Sequence, residues 1–173
     1  MNRRKWIAVI GCGATGLLLI QVAVAQGVRV LAHDKFPDKL DMARRLGAVV
    51  IENSDIAQVW RDNNVTTVFE CAGATVTVEL ALSAAPRGSQ VVLIGLSSTP
   101  ANFVPLRLVR EGIRIIGSLI YDHPFDFARA IALVKQGTLL PSQIVTDTLP
   151  FGEMDRALKI ASTGQSGKVV VKM

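Results

Sequence analysis

Residues Trp6 to Asp34, WIAVIGCGATGLLLIQVAVAQGVRVLAHD, contain the pattern that decides the fold. An apolar, β-branched run leads directly into Gly11-Cys-Gly-Ala-Thr-Gly16, and an apolar segment of helical length follows. Glycines at this spacing, between a strand and a helix, are typical of a turn that binds a dinucleotide. An ordinary glycine-rich turn is the alternative.

Each glycine of this turn has a predicted task. Gly11 allows the tight turn, Gly13 lets a pyrophosphate approach the backbone, and Gly16 lets the helix pack closely on the strand. The first amides of the helix, at Ala14 and Thr15, have no partner inside the helix and would face the phosphate oxygens.

Asp34 ends the second predicted strand, 18 positions after Gly16, near the offset of about 20 residues expected for an acid that binds ribose. A carboxylate at this point accepts hydrogen bonds from both ribose hydroxyls and repels a 2′-phosphate, so it favours NAD over NADP. Lys35, Arg44 and Arg45 lie nearby in the sequence, and because of their positive charges NADP is not excluded. A solvated turn residue is the alternative interpretation of Asp34.

Strand and helix patterns alternate along the first two thirds of the chain. We therefore predict an α/β, Rossmann-type, doubly wound parallel six-stranded sheet with right-handed crossovers. The predicted strands are near-continuously apolar, as in strands buried on both faces, and span residues 6–10, 28–33, 48–51, 66–71, 90–95 and 113–118. The predicted helices between them span residues 15–26, 37–46, 56–63, 76–85 and 106–110.

The pattern changes after Ser118. A helix over 124–136 with an apolar stripe, a strand over 144–149, a helix over 152–163 and a strand over 169–172 are predicted. We expect one domain, 1–173, in which residues 1–121 form the six-stranded core and residues 122–173 a short C-terminal helix and strand extension.

Composition narrows the function classes. Half of the residues are hydrophobic and 19% are charged, as in a globular chain. The net charge of +5 is spread along the sequence without interleaved aromatics, so no nucleic-acid partner is expected. No apolar run is long enough to predict a membrane span, and the lead MNRRK is not a secretory signal. Two scattered cysteines, Cys12 and Cys71, fit a reducing compartment, and we predict a cytoplasmic protein.

Beyond its glycines, the sequence resembles the coenzyme domain of the zinc-containing, medium-chain alcohol and polyol dehydrogenases. AHDKFPDKLDMARRLGAVVI (32–51) resembles that family's second strand, its acid and a helix ending in Leu-Gly-Ala. VTTVFECAG (65–73), GSQVVLIGL (88–96) and IRIIGSLIYD (113–122) resemble its fourth, fifth and sixth strands, and SGKVVVKM (166–173) resembles its C-terminal end. The likeness covers nearly the whole chain in order and spacing.

The resemblance implies further cofactor-binding residues. Lys39 would reach the adenine ribose, and Lys168 would contact the pyrophosphate. Two kinds of loop would line the remainder: the turn on the adenosine and ribose side, Cys71, Ala72 and Gly73, and the loops that offer backbone groups to the nicotinamide, Gly95, Leu96, Ser97, Ser118, Leu119 and Ile120. Solvated lysines and simple packing are the alternatives.

In this family, a separate N-terminal domain carries the chemistry, with a Zn²⁺ ion held by Cys, His and an acid. The present sequence begins at the first strand of the coenzyme domain and has no Gly-His-Glu stretch and no group of four cysteines. We therefore predict no catalytic residue and no metal ligand in this chain, and its own enzymatic activity stays open. An excised domain and a natural protein without the catalytic half both remain open.

Three hypotheses follow. The first is an NAD(H)-binding domain of a zinc-dependent dehydrogenase, which transfers hydride between NAD and an alcohol carbon once a catalytic domain completes it in cis or in trans. The second is a non-enzymatic NAD(H)-sensing module, and the third, ranked last, is a methyltransferase. The resemblance also implies a homodimer that pairs through the edge of the sixth strand, with the apolar tract 102–120 at the interface.

Overall fold

The computed structural model describes residues 6–52 and 55–173, so the basic lead MNRRK lies outside the described residues. Six parallel strands form one sheet, with the order β3-β2-β1-β4-β5-β6. Their bounds are β1 Trp6–Ile10, β2 Arg29–His33, β3 Val49–Val50, β4 Val65–Glu70, β5 Gln90–Leu93 and β6 Arg114–Gly117. The order reverses between β1 and β4, which is where doubly wound sheets bind ligands. The predicted Rossmann-type fold is confirmed.

Two layers of helices cover the sheet. The helices of the core are α1 Ala14–Ala25, α2 Pro37–Arg45, α3 Ile56–Asp62, α4 Thr75–Ala84 and α5 Pro105–Glu111. Successive residues of β1 point to opposite faces: Val9 packs with α1 and α2, whereas Ala8 packs with Trp60 of α3 and Leu82 of α4. Ala8, Val9 and Trp60 are completely buried, so β1 lies in the centre of the core.

Residues 122–173 form the two predicted helices and two predicted strands, together with two 3-10 turns that were not predicted. The elements are α6 Phe125–Lys135, a 3-10 turn Pro141–Ile144, β7 Val145–Pro150, a second 3-10 turn Phe151–Glu153, α7 Met154–Ser162 and β8 Lys168–Lys172. Strands β7 and β8 pair in parallel as a separate two-stranded sheet. The side chain of Gln21 joins the extension to α1, because it donates to the Leu140 carbonyl (3.1 Å) and accepts from the Leu140 amide (2.8 Å).

Exposure differs from the sequence expectation in two elements. All four residues of β6 are exposed, although the strand was expected to be buried on both faces, because β6 lies at the edge of the sheet. The apolar stripe of α6 is also uncovered within the described part of the chain, with Phe127 67% and Ile131 41% exposed. No helix in the described ranges is long and apolar enough to span a membrane.

Candidate dinucleotide-binding site

A cavity of about 510 Å³ lies beyond the carboxyl ends of β1, β2 and β4, at the reversal of strand order. It brings together six residues that were predicted from the sequence: Gly11, Gly13, Asp34, Lys39, Cys71 and Ala72. His33, which adjoins the predicted acid, also lines it. The cavity therefore joins the glycine turn to the ends of the second and fourth strands.

Space around the glycines explains their positions. A Cβ atom on Gly16 would lie 1.9 Å from the carbonyl oxygen of Gly11, and one on Gly11 would lie 2.7 Å from the amide nitrogen of Ala72. Gly13 differs, since its Cβ would meet only the Lys39 Nζ, at 3.9 Å. Gly11 and Gly16 thus permit close packing, whereas the side of Gly13 facing the cavity stays open and leaves room for a diphosphate.

Helix α1 begins at the open side of this turn. Gly13 is its N-cap and supplies no side-chain cap, and the first turn holds no acidic residue. The amides of Ala14, Thr15 and Gly16 precede the first intrahelical bond, which Leu17 donates to the Gly13 carbonyl at 2.9 Å. Uncapped amides and the positive end of the helix dipole favour an anion here.

Asp34 is bound into the glycine turn. Its Oδ2 accepts from the amide of Cys12 at 2.7 Å, and its Oδ1 accepts from the amide of Phe36 at 2.9 Å. Each carboxylate oxygen has a second lone pair, so the side chain can still accept hydrogen bonds from a diol in the cavity. The sequence predicted a ribose-binding role for Asp34 but gave no sign of the bond to Cys12, which fixes the turn.

Lys39 places a cation at the same cavity. The residue is only 8% exposed, and its Nζ lies beside Gly13 and 5.4 Å from the centre of the Phe36 ring. The Lys35 Nζ lies 4.7 Å from the centre of the same ring. The positive charges suit an anionic ligand such as a diphosphate.

The two thiols near the site, those of Cys12 and Cys71, have low reactivity. Burial, and then the charge of Asp34, raise the pKa of the Cys12 thiol to about 12. Burial, and then the charge of Glu70, raise the pKa of Cys71 to about 12. Both thiols are therefore protonated at neutral pH and are poor nucleophiles.

The residues predicted for the nicotinamide lie outside the cavity. Gly95, Leu96 and Ser97 follow β5, and Ser118, Leu119 and Ile120 follow β6. Leu96 is 85% and Leu119 83% exposed. Gly73 links this region to the cavity wall, because a Cβ on Gly73 would lie 2.7 Å from the amide nitrogen of Leu96. Lys168 begins β8, is exposed and does not line the cavity.

Sequence reasoning missed part of the lining. The missed residues are Ile10, Phe36, Ala74, Val76, Thr77, Leu80, Thr163 and Gly164. The α4 residues have helical spacing directly after the predicted turn 71–73, and that signal could have identified them. Thr163 and Gly164 follow α7 and carry no such signal. Within residues 6–52 and 55–173, no group of three or more His, Cys, Asp or Glu residues is arranged to hold a metal ion.

The switch-point cavity, the glycine turn and the strand-end acid define a Rossmann-type dinucleotide-binding domain. Within that class, the chain belongs to the zinc-binding dehydrogenase family, whose sequence profile matches residues 14–136. The resemblance inferred from the sequence is therefore confirmed.

Curated relatives are dehydrogenases about twice as long. The L-threonine 3-dehydrogenase of Bacillus licheniformis is 27% identical over 175 residues, which cover 95% of this chain and 50% of the relative. The alcohol dehydrogenase of Geobacillus stearothermophilus is 29% identical over 178 residues, which cover 98% of this chain and 51% of the relative. The chain thus spans about half the length of the curated relatives it matches.

Solved structures share the fold. The alcohol dehydrogenase TADH of Thermus sp. ATN1 has a TM-score of 0.83 and 30% identity, covering 98% of this chain and 52% of its own. A short chain alcohol dehydrogenase of E. coli CFT073, complexed with NADH, has a TM-score of 0.84 at 19% identity, with coverages of 99% and 53%. A zinc-binding dehydrogenase of Sinorhizobium meliloti 1021, bound to NADP, has a TM-score of 0.79 at 24% identity, and the match covers 97% of this chain and 52% of its own. Structural neighbours therefore include complexes with each nicotinamide cofactor.

Proposed function

We propose that this chain binds NAD(H) as the coenzyme domain of a zinc-dependent alcohol- or polyol-type dehydrogenase. A catalytic domain, in cis or in trans, completes the enzyme, and hydride then passes between NAD and an alcohol carbon. The observation that carries the proposal is the cavity at the switch point, where Asp34 is bonded to the glycine turn. The family and the relatives, which are threonine and alcohol dehydrogenases, support it.

The chain's own residues bind and orient the cofactor. The first amides of α1, at Ala14 and Thr15, bind the diphosphate in the space left open by Gly13, and Lys39 offsets its charge. Asp34 accepts hydrogen bonds from the adenine ribose. NAD supplies the hydride chemistry when bound, and the zinc that polarises the alcohol belongs to the catalytic domain.

The remaining predicted contacts concern the other end of the cofactor. Backbone groups of Gly95–Ser97 and Ser118–Ile120 receive the nicotinamide, and Cys71–Gly73 line the ribose side. Lys168 reaches the pyrophosphate from β8. Its neighbourhood supports this role, since Thr163 and Gly164, shortly before β8, line the cavity.

NAD is proposed as the preferred cofactor over NADP. The Asp34 carboxylate at the ribose position repels a 2′-phosphate. Arg44 forms ion pairs with Asp41 and, at 2.9 Å, with Glu52, and these contacts hold it away from a phosphate. Lys35, which lines the cavity together with Lys39 and follows Asp34 directly in the sequence, reduces this preference.

The position of the catalytic domain is suggested by uncovered apolar surface. Apart from Thr15 and Gln21, helix α1 is apolar, as buried helices are. Its residues Leu18, Leu19 and Val22 nevertheless line an open groove of about 470 Å³ with Phe69 of β4. The exposed face of α6 adds Phe127. A partner domain that corresponds to the other half of the relatives would cover these surfaces.

A homodimer through β6 is also proposed. The strand is an edge of the sheet, its two isoleucines are 40% and 41% exposed, and Val109 of the preceding helix is 80% exposed. A twofold axis beside β6 would continue the sheet and bury this surface.

The division into a core, 1–121, and an extension, 122–173, of one domain stays a prediction. The cytoplasm is the proposed compartment, which the free thiols Cys12 and Cys71 support.

Ligand titration tests the proposal. NADH binding should appear as energy transfer from Trp60, which is buried in the core, or from Trp6, with a dissociation constant in the micromolar range, about −8 kcal/mol. NADPH should bind more weakly, and S-adenosylmethionine, the ligand of a methyltransferase, should not compete. Absence of NADH binding, or tighter binding of S-adenosylmethionine, would contradict the proposal. No observation favours a stand-alone NAD-sensing module, the alternative function.

A further inference from the structure

Glu70 is a carboxylate in an unusual place. It is the last residue of β4, at the point where the strand order reverses, and its exposed fraction is 0%. It does not line the cavity, although the next two residues, Cys71 and Ala72, do. Burial of a carboxylate is costly unless hydrogen bonds compensate for the lost hydration. Its partners therefore indicate what the structure gains from it.

One oxygen of Glu70 fixes the turn after β4. Its Oε1 accepts from the amides of Ala72 (2.9 Å) and Gly73 (3.0 Å) and from the hydroxyl of Thr77 (2.8 Å). These three donors span the turn and the first part of α4. Because Ala72 and Thr77 also line the cavity, Glu70 sets the shape of one cavity wall from behind.

The same residue also holds the loop after β5. Its main-chain carbonyl accepts from the amides of Ile94 (2.9 Å) and Gly95 (3.0 Å). Its Oε2 is buried and has no hydrogen-bond partner among the described residues. A Cβ on Gly95 would lie 2.7 Å from this Oε2 and 2.1 Å from the amide nitrogen of Gly73, so the two loops touch across the carboxylate.

We propose that Glu70 is a positioning residue that sets the distance between the two halves of the cofactor site. It fixes the turn 71–74 on the adenosine and ribose side and the loop 95–97 on the nicotinamide side within one hydrogen-bonded unit. The inference rests on the proposed function, because it assumes a ligand that spans both loops. Binding groups need positions accurate to about 0.5 Å, and a dinucleotide cannot follow one loop without losing the other.

The substitution Glu70→Gln tests this role with little change in volume. Glutamine can still accept from the turn amides, but its NH₂ group replaces Oε2 beside Gly95. The dissociation constant of NADH should rise roughly tenfold, which corresponds to about 1.4 kcal/mol. AMP contacts only the adenosine side and can move with it, so its dissociation constant should change less than about threefold by the same scale.

A second variant and a control separate positioning from stability. Thr77→Val removes one donor to Oε1 and should give a smaller loss of the same kind, about threefold for NADH, and it carries the test if Glu70→Gln does not fold. Val91→Ala truncates a completely buried residue of β5, so it should lower the melting temperature while the ratio of the two affinities stays at its wild-type value.

Two outcomes would overturn the proposal. One is an unchanged NADH affinity in folded Glu70→Gln, or in Thr77→Val if the first variant does not fold. The other is an equal loss for NADH and AMP, which would mean that Glu70 only stabilises the turn. Failure of the wild-type chain to bind NADH would instead reject the proposed function itself, so the two failures can be told apart.

Discussion

The double role of Asp34 gives a sharp prediction for Asp34→Asn. Both carboxylate oxygens accept backbone amide hydrogens, one from Cys12 and one from Phe36. An asparagine has a single acceptor oxygen, so its NH₂ group must face one of these two donors. The substitution therefore changes the protein itself as well as the proposed ribose contact.

The two effects have separate magnitudes. One backbone donor left without an acceptor should cost about 1–3 kcal/mol of unfolding free energy, which lowers the melting temperature by about 2–4 °C per kcal/mol at this chain length. Loss of the charge-assisted bonds to the ribose should weaken NADH binding by a further ~1–3 kcal/mol, or about 5- to 150-fold. NADPH affinity should fall less, because the repulsion of the 2′-phosphate is lost too.

Titrations with NADH and NADPH, together with thermal unfolding of the free protein, measure both effects. Asp38→Asn is the matched control, since it removes the same charge from an exposed residue in the first turn of α2 that does not line the cavity. Its NADH affinity should stay within about twofold of the wild type. A lower melting temperature with unchanged NADH affinity in Asp34→Asn would refute the ribose role and leave only the structural one.

Three further predictions concern other parts of the molecule. Gly16→Ala should lose about 3 kcal/mol or more in urea unfolding, because its Cβ would lie 1.9 Å from a carbonyl oxygen; Gly152→Ala, with open space around it, should lose less than about 1 kcal/mol. The thiols of Cys12 and Cys71, with pKa values raised to about 12, should react with iodoacetamide at pH 8 at least ~100-fold more slowly than in the unfolded chain; equal alkylation rates would contradict this. The stability that the protonated thiols contribute should be complete below about pH 9 and should fall as the pH rises towards 12. Ile116→Lys should convert the proposed dimer to a monomer in light scattering, and a monomeric wild type would reject that interface.

Local patterns predicted much of the fold. The first strand, the glycine turn and α1 were predicted to within one residue, because a β-branched run, three glycines and a long apolar helix are all encoded in consecutive residues. The third strand was predicted over 48–51 but is formed only by Val49–Val50. Contacts between distant segments leave no such local signal, as with Gln21 and Leu140, 119 positions apart. For the same reason, the sequence did not indicate that Thr163 and Gly164 line the cavity.

The asymmetry of the site has a physical explanation. The glycine turn and Asp34 lie in a cavity formed by residues of this chain, whereas Leu96, Leu119 and Ile120, after β5 and β6, are 78–85% exposed. Apolar side chains that border a binding cavity gain little in water, but they gain about 25 cal/mol per Å² when another surface covers them. The matched part is about half of each relative, so the relatives contain a further segment of about the same length. Under the proposed function, the cavity receives the adenosine half of the cofactor, and the exposed apolar residues after β5 and β6 lie where a second domain would meet the nicotinamide.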